Sequence, residues 1–172
     1  QFDNDEILLM HLGMSGRFTI HHSGNEHRSF GPHDHVVFET DAGVCIVYSD
    51  HRRFGLMTLF KKGQRESYKL LASLGPEPLS KAFSAASLSA SLREKRSPVK
   101  SALLDQRVVA GLGNIYVCEA LFRAGVSPKR LSHSIKSLEV AKIVLEAKSV
   151  LRSALKSGGS SLRDYKKADG NL

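Results

Sequence analysis

The sequence predicts an α+β protein in which a β half precedes a helical half. Residues 1–63 contain five short apolar or β-branched runs separated by turn residues, whereas apolar residues recur with a helical period from about residue 80. The charge divides at the same place, because residues 1–63 carry six Lys and Arg against eight Asp and Glu, and the remainder carries nineteen against nine. We therefore expect two domains, 1–63 and 79–172, joined by a linker at 64–78.

Five strands are predicted in the first half, at residues 7–12, 17–20, 35–40, 44–49 and 56–60. So few residues need further strands to close a core, and this half is predicted to be part of an antiparallel sheet or β-sandwich. The chain begins with Gln1 and ends with Gly170-Asn171-Leu172. Because neither end resembles a natural terminus, we expect it to be a fragment.

Four helices are predicted in the second half, at 84–95, 98–104, 114–125 and 137–157. Ser97 and Ser137 are expected to be N-caps, and Gly125 and Gly158-Gly159 are expected to end their helices. The last helix is predicted to bury one apolar stripe, formed by Val140, Ile143, Val144, Ala147, Val150, Leu151, Ala154 and Leu155.

Composition excludes some classes of protein. No apolar run approaches the ~18 residues that a membrane span requires. Cys45 and Cys118 lie far apart in apolar stretches, so we expect two buried thiols in a reducing cytoplasm, without a disulfide or zinc knuckle. A net charge of +8, concentrated in the helical half, favours a polyanion such as DNA or RNA as partner. The alternative is a solvated basic helical surface.

Two glycines, Gly111 and Gly113, lead directly into the helix predicted at Asn114. The free N–H groups of a first helical turn form an anion site, and glycines let a phosphate approach the backbone. Lys95, Arg96 and Lys100 precede this turn and are candidates to contact the same polyanion. Alternatively, Asn114 is only a helix cap.

The β half places Met14 and Phe54 in two glycine-flanked turns, His11–Gly16 and Asp50–Gly55. Proteins that kink DNA or extrude a base insert such apolar side chains into the base stack, and an arginine such as Arg52 fills the vacated position. Alternatively, Met14 and Phe54 are core residues, and Arg52 and its neighbour are a solvated pair. In His33-Asp34-His35, two imidazoles suggest a metal, but a polar turn explains the motif equally well and no metal is expected.

The motifs HLGMSG, HDH, RRFG, LGPEPLS, SPVKSALLDQRVVAGLGNIYVCEALFRAGVSP and GGSSLRDY occur in this order and span nearly the whole chain. In this combination the sequence resembles the bacterial formamidopyrimidine-DNA glycosylase family, whose members excise oxidised purines and nick the resulting abasic site. Met14 and the Arg-Arg-Phe triplet favour this family over its relative of endonuclease VIII type.

The resemblance implies an N-terminal β-sandwich, a helix-two-turns-helix domain and, in the parent protein, a C-terminal finger that binds structural zinc. It implies that Asn114 and Lys100 clamp phosphates and that Lys95, His33 and Tyr116 make further DNA contacts. It also implies a base-stack wedge formed by Met14, Arg52 and Phe54, in which Arg52 faces the orphaned cytosine. Residues 157–172 resemble the beginning of a loop that closes over the extruded base.

The family's nucleophile is an N-terminal proline amine followed by a glutamate, and both are absent from this sequence, as are the four zinc-binding cysteines. We therefore predict no catalytic residue and no metal ligand in this chain. It is expected to bind double-stranded DNA containing oxidised purines weakly, without glycosylase or lyase turnover. The alternative is a non-catalytic DNA-binding or lesion-sensing module. The resemblance further implies a monomer in the bacterial cytoplasm, associated with the nucleoid.

Overall fold

The computed structural model describes residues 1–22 and 30–157 of the chain. These residues form two compact units: unit 1 contains residues 1–66 of the described chain, and unit 2 begins at Ser67. All described strands lie in unit 1 and all described α-helices lie in unit 2. The predicted α+β class is confirmed.

Unit 1 contains five described strands in two antiparallel sheets. They are β1 (Glu6–His11), β2 (Arg17–His21), β3 (Asp34–Glu39), β4 (Cys45–Ser49) and β5 (Leu56–Lys61). One sheet pairs β1 with β5, and the other has the order β2-β4-β3. Every predicted strand is found with ends within one residue of the prediction.

The central strand β4 is the most buried strand of unit 1 because it has a partner on both sides. Tyr48 is only 5% exposed, and its ring lies 5.4 Å, centroid to centroid, from that of its cross-strand partner Phe18. Phe38 extends the same aromatic cluster, at 6.4 Å from Phe18. Such aromatic pairs stabilise a sheet beyond the area they bury. They also fix the position of the Tyr48 hydroxyl.

Unit 2 contains five described α-helices. They are α1 (Lys69–Ala72), α2 (Ala85–Leu92), α3 (Val99–Leu104), α4 (Asn114–Ala124) and α5 (Ser137–Lys156). The four predicted helices are present. Helix α1 was not predicted, because four residues are too few to show an apolar period.

Two of the predicted caps are wrong by one residue. Helix α3 follows Pro98, whose ψ of 144° is extended, and Ser97 therefore lies outside the helix. Helix α5 begins at Ser137 itself, because the Glu139 carboxylate accepts the N–H of Lys136 at 2.8 Å and makes Lys136 the N-cap. Gly125 ends α4 in the left-handed conformation, with φ of 69°, as predicted. The predicted stop at Gly158-Gly159 lies outside the described residues.

A single apolar core joins helices α2 to α5. On α5 it takes up Val140, Ile143, Val144 and Ala147, and Val150 is also buried, as the stripe predicts. Leu155 is 70% exposed, contrary to the prediction, because the last turn of α5 extends past the buried core. Cys45 is buried as expected, but Cys118 is exposed on α4. No helix in the described ranges is both long and apolar enough to span a bilayer.

The segment Leu74–Pro78 packs against the loop between α3 and α4. The N–H of Gly75 donates to the carbonyl of Gln106 at 2.8 Å, and the N–H of Ala110 donates to that of Pro76 at 3.1 Å. A Cβ on Gly75 would lie 2.6 Å from the Arg107 carbonyl oxygen, so this close approach requires glycine. The segment thereby holds the loop that leads to α4.

Candidate nucleic-acid interface

The side chains of Met14, Arg52 and Phe54 form one exposed cluster in unit 1. Met14 is 78% exposed and Phe54 is 57% exposed. The Arg52 guanidinium carbon lies 4.6 Å from the centroid of the Phe54 ring, and Arg52 Nη1 donates to Met14 Sδ at 3.7 Å. Because both apolar side chains project into solvent, the alternative that they are core residues is wrong. We call these three residues the probe cluster.

Close backbone packing brings together the two loops that carry the probe cluster. Gly13 has φ of 65°, and a Cβ there would lie 2.7 Å from the backbone carbonyl carbon of Phe54. A Cβ on Gly55 would lie 1.7 Å from the Tyr48 hydroxyl. The glycines that flank Met14 and Phe54 in the sequence therefore allow the loops to touch.

The buried carboxylate of Asp50 links the same two loops. It accepts hydrogen bonds from the hydroxyl of Ser15 on the first loop and from the N–H of Gly55 at 2.8 Å on the second. The hydroxyl of Tyr48 also donates to it at 3.2 Å, and the N–H of Arg52 donates to Ser15 Oγ at 3.3 Å. Asp50 is only 1% exposed. We call Asp50, Ser15, Tyr48 and Gly55 the loop latch.

The hydrogen bonds of the latch favour the charged form of Asp50. The Ser15 hydroxyl lowers the pKa of Asp50 to about 2, with help from the Gly55 amide and the Tyr48 hydroxyl, although burial acts in the opposite direction. Burial, together with the neighbouring Asp50 carboxylate, raises the pKa of Tyr48. At neutral pH the latch therefore consists of a carboxylate surrounded by donors.

The side chains of His33-Asp34-His35 do not converge on a metal site. The Nε2–H of His35 donates to the backbone carbonyl of Asp50 at 2.8 Å, and the His33 ring packs edge-on against that of His51, at 6.1 Å between centroids. In residues 1–22 and 30–157 no three His, Cys, Asp or Glu side chains lie close enough to hold a metal ion. The described residues therefore do not fit a zinc site. His33 instead lies beside the loop that carries Arg52.

In unit 2, Gln106 shapes the turn that precedes α4. Its Oε1 accepts the N–H of Gly111 at 2.7 Å, and its Nε2 donates to the carbonyls of Leu104 at 3.1 Å and Leu112 at 3.2 Å. Gly111 has φ of 79°, in the left-handed region that favours glycine. One amide side chain thus fixes the loop between α3 and α4.

The N-terminus of α4 is open to an anion. Gly113 is the N-cap and offers no side-chain acceptor, and the first turn contains no acidic residue. Asn114 is the exposed first residue of the helix, and its Oδ1 lies 3.8 Å from Cys118 Sγ. The alternative that Asn114 caps the helix is therefore wrong. The unsatisfied N–H groups and the helix dipole favour a negative group here.

The two lysines predicted near this site have different surroundings. Lys95 Nζ lies 3.3 Å from Asp105, whose carboxylate also binds Arg107 Nε at 2.9 Å. These contacts, that of Arg107 first, lower the pKa of Asp105 strongly. Lys100 is half-buried in the first turn of α3, and its ammonium has no acidic partner in the described part of the chain. Lys95 is thus partly neutralised, whereas Lys100 is not.

The structure brings together some of the predicted site residues. Met14, Arg52 and Phe54 touch one another, and His33 lies beside the same loop. The remaining predicted residues all lie in unit 2: Lys95, Lys100, Asn114 and Tyr116. In the described part of the chain, no hydrogen bond or ion pair joins any two of these four. Sequence reasoning missed the roles of the latch and of Gln106, because their partners are set by the folded backbone. The available signal was position alone: Ser15, Gly55 and Gln106 lie inside the motifs named above, and Asp50 lies just before RRFG.

The two units, an antiparallel β unit and a helical unit, each match a domain model from one class of proteins, the helix-two-turns-helix DNA glycosylases. The formamidopyrimidine-DNA glycosylase N-terminal domain model matches residues 1–57, and the formamidopyrimidine-DNA glycosylase H2TH domain model matches residues 74–166. The chain belongs to the formamidopyrimidine-DNA glycosylase family.

Relatives agree with this assignment. The formamidopyrimidine-DNA glycosylase of Jannaschia sp. is 52% identical over 178 residues, covering 99% of this chain and 62% of that protein. The crystal structure of MutM (Fpg) from Thermus thermophilus has a TM-score of 0.85 at 37% identity, covering 98% of this chain and 60% of that one. Lactococcus lactis Fpg in complex with DNA containing an abasic site has a TM-score of 0.85 at 32% identity, covering 94% and 58%. The chain thus spans about three fifths of these relatives.

Proposed function

We propose that the protein containing this chain is a base-excision repair enzyme. It flips out and excises oxidised purines, such as 8-oxoguanine and formamidopyrimidines, from double-stranded DNA, and it nicks the resulting abasic site. Membership of the glycosylase family supports the reaction class. The observation that carries the proposal to this chain is the exposed probe cluster on a latched pair of loops.

The probe cluster acts on the base stack. Extruding a base costs a few kcal/mol of stacking and pairing, which a protein recovers by filling the vacated space. Phe54 is a flat apolar wedge for the neighbouring base pair, and Met14 adds apolar surface beside it. The Arg52 guanidinium carries donors suited to the acceptor edge of the unpaired cytosine. Its contact with the Phe54 ring aligns the two side chains before DNA arrives.

Unit 2 supplies contacts to the DNA backbone. The open N-terminus of α4 receives a phosphate, with the Asn114 side chain and the Lys100 ammonium as further ligands. Tyr116, in the first turn of α4, is a further DNA contact of this proposal, although its ring packs partly against the core of unit 2. Lys95 contacts phosphate more weakly, since it shares its charge with Asp105. His33, which belongs to unit 1, supplies a further backbone contact. These contacts fix position without reading sequence.

The chemistry itself needs groups that this sequence does not contain. In the family pattern a proline amine attacks the sugar C1′ and a glutamate moves protons, and neither has a counterpart here. We propose that these 172 residues alone bind duplex DNA as a monomer and do not turn over substrate. The structural zinc belongs to the parent protein, which acts in the bacterial cytoplasm at the nucleoid.

Fluorescence anisotropy with duplexes containing 8-oxoguanine opposite cytosine, an abasic-site analogue or no damage tests this proposal. We expect salt-dependent binding to all three duplexes, because the net charge is +8. We expect tighter binding to the first two, because the probe cluster must enter a vacated space in the base stack. Borohydride is expected to trap no covalent adduct. A trapped adduct would refute inactivity of the chain, and equal affinity for all three duplexes would favour a general DNA-binding module.

A further inference from the structure

Two segments of unit 2 pair as a short antiparallel ladder, residues 95–100 with residues 128–133. An isolated bridge joins Pro98 to Leu131. Backbone hydrogen bonds extend the pairing in both directions: Val99 N–H to Arg130 O at 2.8 Å, Ser132 N–H to Ser97 O at 3.0 Å, His133 N–H to Lys95 O at 3.2 Å and Lys100 N–H to Pro128 O at 3.4 Å. The ladder therefore has two faces.

The inner face of the ladder is buried and its cations are neutralised. Val99 is fully buried and Ser132 is 1% exposed. Lys95 Nζ lies 3.3 Å from Asp105, and Arg130 Nη1 lies 2.5 Å from Glu139. Each of these two partly exposed cations on the inner face thus has a carboxylate partner.

The outer face carries cations without such partners. Arg96 and Lys129 are exposed, Lys100 is half-buried, and none of the three forms an ion pair with a described residue. The acidic residue nearest in the chain, Glu94, is exposed and has no ion pair with them. Three positive charges on two paired segments therefore remain available to an external anion.

We propose that this outer face, Arg96, Lys100 and Lys129, is a second phosphate-contact surface of unit 2 for duplex DNA. It extends the contacts made at the N-terminus of α4, and it rests on the proposed function. The paired backbones hold the cations in fixed register, and a phosphate backbone is the repeated anion that such a row fits. Lys129 is the new contact, and the ladder places it with Arg96 and Lys100, which the sequence had already made candidates.

The test is the salt dependence of duplex binding by the complete 172-residue chain. The logarithm of the association constant falls linearly with the logarithm of the salt concentration. Lys129→Ala and Arg96→Ala are each expected to make this slope shallower by about 0.9. Each is also expected to weaken binding about threefold to tenfold near 0.1 M salt, equally for damaged and undamaged duplexes. Lys129→Arg should leave the slope as it is in the unaltered chain, because it keeps the positive charge. Both replaced residues are exposed, so circular dichroism should be unchanged.

Lys142→Ala is the matched control, because Lys142 is an exposed lysine on α5 without an ion pair among the described residues. A loss of affinity in this control equal to that of Lys129→Ala would overturn the proposal, since net charge alone would then explain it. The proposal would also be overturned if Arg96→Ala and Lys129→Ala both left the salt dependence of binding unchanged. Asn114→Ala should still weaken binding in that case, because it alters the separate site at α4. If the unaltered chain showed no salt-dependent binding, the proposed function itself would fail.

Discussion

Replacing Asp50 by alanine is expected to separate the two loops that carry the probe cluster. The change removes the acceptor for the Ser15 hydroxyl, the Tyr48 hydroxyl and the Gly55 amide. Buried donors left without acceptors cost about 1 to 3 kcal/mol each, and we expect a local loss of about 3 kcal/mol. That is about a hundredfold increase in opening of the loops. Hydrogen exchange should detect it at residues 12–16 and 50–55.

Asp41→Ala is the matched control, because Asp41 lies in an exposed turn of the same unit. It should leave exchange at residues 12–16 and 50–55 unchanged. Asp50→Asn keeps the volume and one acceptor oxygen, so protection should fall between that of the alanine variant and that of the original chain. Full protection of both loops in Asp50→Ala would show that close packing alone holds them together.

Acid should open the same latch in the unaltered chain. The pKa of Asp50 is about 2 in the folded chain and 3.8 for an unperturbed carboxyl, so the unfolded state binds the proton more tightly. The stabilisation from this group is therefore complete above about pH 4 and is lost as the pH falls toward 2. Asp50→Ala should lack this part of the acid transition.

Asn114→Asp is expected to change stability and DNA binding in opposite directions. A carboxylate at the first residue of α4 interacts favourably with the helix dipole and should stabilise unit 2 by about 0.5 kcal/mol. The same charge repels a phosphate at that site, and we expect duplex affinity to fall more than tenfold with a shallower salt dependence. Urea unfolding and anisotropy titration measure the two effects.

Ser137→Asp provides the comparison for that variant, because Ser137 is the exposed first residue of α5. It adds the same charge at the same helical position, on a helix to which no phosphate contact is assigned. It should increase stability similarly and change duplex affinity less than threefold. If both variants weakened binding alike, the phosphate would not lie at α4.

Local patterns predicted most of the fold. The strands were found because their apolar residues alternate between turns, and Gly125 ends α4 because a left-handed residue favours glycine. The caps of α3 and α5 were displaced by one residue because Pro98 and the Glu139 carboxylate determine where each helix begins. The first residue of a helix depends on local side-chain geometry, which the spacing of apolar residues does not determine.

The candidate site was predicted in its exposed residues but not in its support. Met14 and Phe54 were recognisable because the HLGMSG and RRFG motifs resemble the family pattern, whereas their glycine-flanked turns alone left a position in the core open. The latch joins Ser15 to Asp50 across 35 positions, and this pairing depends on the approach of two backbones at Gly13 and Gly55. Lys95 shows the converse limit, because only the fold reveals its pairing with Asp105.

The most direct test of the account is whether the probe cluster enters the base stack. A duplex would carry 2-aminopurine, whose fluorescence rises on unstacking, beside an abasic-site analogue opposite cytosine. The unaltered chain and Leu59→Ala, which truncates an equally exposed leucine of unit 1, are predicted to raise the fluorescence. Phe54→Ala should bind the duplex within about threefold of the original affinity but raise the 2-aminopurine fluorescence little. An equal rise with Phe54→Ala, or none with the unaltered chain, would contradict the account.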